Sequence, residues 1–155
     1  MRKPADVLPG AARPLEEIRR AAHSAGVDAG TLELVRLRVS QINGSGACVA
    51  LGAAAARAAG VGDERLLALA AWRDTPCFSP AERAALELAE AATRLADRPD
   101  AVSDPVWDRA ATHYDEQRLA ALILMIGVTN LTNRLAATTR QHPGTPLDPP
   151  GRNPS

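Results

Sequence analysis

The side chains best equipped to react in this sequence are two thiols, Cys48 and Cys77. Cys48 follows Gly44-Ser45-Gly46-Ala47, a stretch that reads as the start of a helix. With Ser45 as N-cap, Cys48 falls at N3, where the helix dipole favours a thiolate, the nucleophilic form of cysteine. The Ser45 hydroxyl is expected to accept from the Cys48 backbone N–H. The bland alternative is that Cys48 is a small buried hydrophobe, the usual fate of a free cysteine. Cys77 sits in the loop Asp74-Thr75-Pro76-Cys77-Phe78 and is read either as a resolving thiol for Cys48 or as inert. Glu33 is the carboxylate of interest in the preceding helix, either solvated near the helix start or turned inward. Trp72 either lines a pocket or packs. His23, His113 and His142 are far apart, and none has metal-ligand spacing with another His or Cys. They read as structural or surface residues, so neither a metal nor a cofactor is expected. Gly44-Ser45-Gly46 resembles an anion cradle only weakly, since no strand precedes it.

The elements that must hold these residues read as helices. Pro14, Leu15 and Ile18 open a first helix ending near Gly26. Asp28 caps a second, with Leu32, Val35, Val39 and Ile42 at helical spacing. Ser45 begins a third that ends at Gly60. Asp63 caps a short fourth through Trp72. Ser79-Pro80-Ala81-Glu82 starts a fifth with Ser at N-cap, Pro at N1 and Glu at N3. Asp104-Pro105 begins a sixth, and Asp115 a long seventh reaching about Thr139. That last helix is apolar on two sides, as expected of a helix buried deeply or between subunits. Residues 1–12 read as a flexible leader, 13–140 as the domain, and 141–155, with five prolines, as a disordered tail.

Composition points the same way. Alanine supplies 32 of 155 residues, and aromatics are 3%. Alanine is the best helix former, whereas strands favour β-branched and aromatic residues, so an all-α bundle of about seven helices is predicted. The 18 Lys and Arg balance 18 Asp and Glu, which argues against binding nucleic acid through a broad basic surface. Two cysteines do not make a disulfide scaffold and suit a reducing, cytoplasmic location. The apolar run Ala120–Val128 is too short to cross a bilayer, so no membrane partner is expected.

The stretch from Glu33 to Gly60, ELVRLRVSQINGSGACVALGAAAARAAG, resembles the carboxymuconolactone decarboxylase superfamily in its alkylhydroperoxidase D-like branch. The matching words are Arg38-Val39-Ser40-Gln41-Ile42-Asn43-Gly44, Ala56-Arg57, Gly60, Asp63-Glu64-Arg65-Leu66 and Ala70-Ala71-Trp72-Arg73. Phe78-Ser79-Pro80, Glu82 to Leu86, Asn130 and Asn133-Arg134 extend the likeness to about residue 138. The resemblance implies an alkylhydroperoxidase D-like fold, a homo-oligomer, and thiol-dependent reduction of hydroperoxides by a glutamate, a Cys-x-x-Cys pair and a histidine. On this chain the glutamate is Glu33 and the second cysteine Cys48, while Ser45 replaces the first cysteine and Gly52 the histidine.

Two of the four groups are therefore absent. Serine cannot close a disulfide, so a sulfenic acid at Cys48 would need an external thiol or Cys77. Gly52 lies one turn after Cys48 and cannot move a proton, and the missing imidazole is expected to leave space there for water, a neighbouring side chain or a ligand. The candidate catalytic residues are Cys48, Glu33 and Ser45. The expected function is an altered or lost antioxidant peroxidase with a hydroperoxide or other small molecule as ligand. The alternative is a non-catalytic binding or oligomeric scaffold on the same fold. Decarboxylase-type chemistry lacks a well-placed acid and base set.

Overall fold

In a computed structural model that describes residues 2–98 and 100–143, the architecture is entirely helical. Eight α-helices are found among the described residues: α1 Pro4–Val7, α2 Ala12–His23, α3 Ala29–Ile42, α4 Gly46–Ala58, α5 Asp63–Ala68, α6 Pro80–Thr93, α7 Asp104–His113 and α8 Glu116–Thr138. A 3-10 turn, Leu69–Asp74, follows α5. Helix α1 is a single turn within the segment read as a leader. Residues 144–155 of the tail lie outside the described residues.

The helix starts follow local chemistry. Asp28 accepts from Thr31 N–H at 2.8 Å, and Asp115 from Arg118 N–H at 2.9 Å. Ser79 and Glu82 form the full reciprocal box, with Glu82 N–H donating to Ser79 Oγ and Ser79 N–H to Glu82 Oε2. Gly60 closes α4 at a φ of +86°, where a side chain would be strained. Asp63 differs from expectation: Gly62 is the N-cap, and the Asp63 carboxylate is taken by Arg57 Nε at 2.6 Å. The helix expected through Trp72 breaks at Ala71, which leaves the helical region at φ −114°, ψ 31°.

Helix α3 is the centre of the bundle and packs on α4, α6 and α8. Its apolar residues divide between two cores. Leu32, Val35 and Val39 join Leu88, Leu122 and Met125 in one. Leu34 and Leu37 join Ala56, Leu69, Trp72, Phe78 and Leu86 in the other. Each fully buried leucine contributes about 2 kcal/mol relative to exposure. Helix α8 buries Leu119, Leu122, Met125, Ile126 and Val128, but leaves Ile123, Leu124 and Leu131 about half exposed. By length and composition α8 could span a membrane, although its uninterrupted apolar run is short; just over half of its most apolar stretch is buried inside the fold.

Polar pairs fix α8 against α3. Ser40 Oγ lies 3.2 Å from Asn133 Oδ1, and Asn43 Nδ2 donates to Asn130 Oδ1 at 2.9 Å. These are the asparagines whose spacing the sequence singles out in the last helix.

Candidate functional site

Glu33 lies in the second turn of α3, not its first, and is 6% exposed. A buried carboxylate must be paired, and this one is. Its Oε2 accepts from Arg36 Nη1 at 3.2 Å, one turn along the same helix. Its Oε1 is 3.1 Å from His23 Nε2, at the end of α2. His23 is thus a partner of the candidate glutamate, not an isolated surface residue. Nothing in the spacing announces it, because the pair exists only where the end of α2 meets α3.

Arg19, one turn before His23, joins the same group. Its guanidinium pKa is lowered first by burial and then by the like charge of Arg36. Glu16, Cys48 and Glu33 act on it in the opposite direction. Arg19 Nη1 is 3.8 Å from Glu16 Oε2, while its Nε is buried without a hydrogen-bond partner among the described residues.

Cys48 is at N3 of α4 as expected, half-buried and free. Ser45 is the N-cap residue, but its side chain makes no capping bond. Its ψ of 90° falls well short of the 133°, 161° and 172° of Asp28, Ser79 and Asp115, which do cap. The Ser45 peptide is used instead: its N–H donates to Ser40 O at 3.1 Å and its carbonyl accepts from Val49 at 2.8 Å. Gly44 N–H is also spent, on Gln41 O, so two of the loop's donors are unavailable to an anion. Pro143 covers this helix start, its Cγ 3.6 Å from where a Gly46 Cβ would stand.

The space expected at Gly52 is bordered by a neighbouring side chain, Leu37. A Cβ there would lie 3.4 Å from both Cα and Cδ1 of Leu37. The two helices approach closely at this glycine, so a Cβ there would sit in van der Waals contact with Leu37. Cys77 is also free; its Sγ lies 3.7 Å from Thr75 Oγ1, and it packs on the Leu34–Phe78 core.

Trp72 belongs to a different buried carboxylate. Its Nε1 donates to Glu90 Oε1 at 2.9 Å, Arg38 Nε donates to the same oxygen at 2.7 Å, and Arg73 Nη1 to Oε2 at 2.5 Å. Burial works to raise the Glu90 pKa, but these donors outweigh it and hold the carboxyl below its ordinary range. The Arg73 guanidinium also lies 4.2 Å over the Trp72 ring. Trp72 therefore packs and anchors instead of lining the Glu33 group. Among the described residues, no three His, Cys, Asp or Glu side chains converge as metal ligands.

The profile of the carboxymuconolactone decarboxylase family matches residues 9–91. The chain belongs to this family. Bacillus subtilis YdfG, an uncharacterized protein, is 31% identical over 131 residues, covering 84% of this chain and 88% of YdfG. Escherichia coli YnjA, also uncharacterized, is 46% identical over 71 residues, or 46% of this chain and 37% of YnjA. Among solved structures, Agrobacterium tumefaciens ATU0492 superposes with a TM-score of 0.81 at 27% identity, over 90% of this chain and 94% of that one. ATU0492 is of unknown function and is provisionally assigned to antioxidant defence as an AhpD. The likeness places this family member in the alkylhydroperoxidase D-like branch. The debrominase Bmp8 shares the fold, with a TM-score of 0.78 at 18% identity over 88% of this chain and 73% of Bmp8. A cysteine-to-alanine variant of Bmp8 has been solved with 2,3,4-tribromopyrrole.

Proposed function

We propose that this protein is a one-cysteine member of its branch, in which Cys48 reduces hydroperoxides and an external thiol restores it. The observation that carries this reading is Glu33, which is buried and paired with His23 and Arg36. A buried carboxylate with a histidine partner is costly to keep for packing alone and suits proton handling. In the step proposed, Cys48 Sγ as thiolate attacks the distal oxygen of the hydroperoxide. The S–O bond forms, the O–O bond breaks, sulfur is oxidised to a sulfenic acid, and the peroxide is reduced to an alkoxide. The alkoxide takes its proton from the Glu33–His23 pair. An external thiol then displaces water to give a mixed disulfide, and a second thiol releases Cys48.

The test is mass spectrometry after one equivalent of an organic hydroperoxide with a sulfenic-acid trap. A trap adduct on Cys48, formed faster than on Cys77, supports the reading. Two unmodified thiols in the folded protein overturn it. That result would favour a non-catalytic scaffold, the reading supported by the close packing of Gly52 on Leu37. In either case we propose a homo-oligomer joined through Ile123, Leu124 and Leu131 of α8, the exposed apolar residues of an otherwise buried helix. Sedimentation of Leu124→Glu should then show smaller particles than the wild type; unchanged sedimentation overturns this interface.

A further inference from the structure

We infer that a cleft between the 3-10 turn, the end of α6 and α7 binds a small organic phosphate ester, with Arg73, Arg94 and Arg98 holding the phosphate. The inference is independent of the reading of Cys48.

The cleft encloses about 330 Å³, and these three arginines line it together with Glu87 and Glu90. Both carboxylates are already neutralised by arginines that do not line it. Glu87 takes Arg109 in a bidentate pair at 2.7 and 2.8 Å, and Glu90 takes Arg38 at 2.7 Å. The side chains of Arg94 and Arg98 have no hydrogen bond or ion pair among the described residues. Asp97 and Asp100, in the same turn, are exposed and pair with no cation among those residues. Positive charge is therefore in surplus. It is also held together, because Arg98 N–H donates to Arg94 O at 3.2 Å and sets the two arginines one turn apart. Like charges at that spacing repel, and an anion shared between them would reverse the sign of the interaction. Arg73 supplies a fixed donor. Its Nη1 is bound to Glu90 and its guanidinium lies 4.2 Å over the Trp72 ring, yet its side chain is 52% exposed. Donors from three points of the chain suit the three oxygens of a phosphate better than a flat carboxylate. Ala91, Ala101 and Val106 add an apolar wall, and the cleft has more room than a bare phosphate needs, so the ligand is an ester with a short organic part.

Isothermal titration with butyl phosphate, at an ionic strength fixed with sodium chloride, tests this. One molecule should bind per chain, more tightly than inorganic phosphate. Arg94→Gln combined with Arg98→Gln should weaken binding by about tenfold or more, as expected for loss of charge-assisted bonds. The melting temperature should stay the same, since neither side chain holds the fold. Arg13→Gln combined with Arg20→Gln removes the same charge from exposed positions on α2 and should leave the affinity unchanged. In the wild type, the ester should slow hydrogen exchange in peptides covering residues 91–98. No binding by the wild type overturns the site, as does equal affinity for inorganic phosphate. An equal loss in the α2 variant would reduce the effect to net charge and overturn it too. Slowed exchange elsewhere but not at residues 91–98 overturns it even if the Arg94 and Arg98 variant fails to fold.

Discussion

The bundle buries two glutamates among arginines, and they are satisfied very differently. Glu90 accepts from Trp72, Arg38 and Arg73, so both of its oxygens have donors fixed by packing. Glu33 has two partners, one of them a histidine whose side chain is about one-third exposed, and the neighbouring Arg19 has an orphaned donor. Removing one partner from a buried ion pair leaves an uncompensated charge, so a closed cluster such as that of Glu90 ties down the fold. The cluster of Glu33 instead keeps its histidine partner in contact with solvent. The contrast teaches that burial of a carboxylate does not by itself mark a site.

The comparison can be broken most directly at Glu90. Glu90→Gln should cost about 3 kcal/mol in denaturant unfolding, because Arg38 and Arg73 lose their shared counter-charge. A loss as small as that of a surface variant would erase the distinction. Glu33→Gln should instead slow oxidation of Cys48 by about tenfold or more, as expected for loss of a proton-handling group. Glu90→Gln, assayed well below its melting temperature, should leave that rate unchanged.

Acid unfolding sharpens the same contrast. The Glu90 pKa is depressed in the folded state, so its stabilisation is fully present above the ordinary value of 4.5. It is lost as pH falls through the lower folded value, because protonation then accompanies the native state as well. The difference in stability between wild type and Glu90→Gln should therefore shrink below pH 4.5, as followed by circular dichroism. A difference that stays constant to lower pH would contradict the assigned charge state. Trp72→Phe, which removes one donor and keeps the ring, should cost about 1 kcal/mol in denaturant unfolding. Smallest of all, Gly52→Ala should change stability by less than about 0.5 kcal/mol, since helix propensity gained is offset by tighter contact with Leu37. A large loss there would mean that the two helices cannot yield.

What could be read in the sequence was what neighbouring residues decide among themselves. Asp28, Ser79 with Glu82, and Asp115 cap their helices through partners three residues away. The abundance of alanine announced the helices, and the ordered words from Arg38 to Arg134 announced the fold. The carboxylate clusters were hidden because their parts are remote. His23 is ten residues from Glu33, and Glu90 gathers donors 17, 18 and 52 residues away. Ser45 shows that even a local expectation can miss: the residue type suits a cap and the position is the N-cap, but its side chain makes no cap bond. At Gly52, spacing revealed the lost imidazole but not the close approach of α3.

The amide pairs between α3 and α8 have a mechanical consequence. A helix held only by leucines can rotate or slide a little, trading one apolar neighbour for another. Ser40 with Asn133 and Asn43 with Asn130 act as two keys on one shaft, since a slide of one helical turn, about 5.4 Å, would break both. Both keys lie in the last turns of α3, just before the loop that leads to Cys48. The helix that carries Ile123, Leu124 and Leu131 is thus tied to the end of α3 that leads into the Cys48 loop.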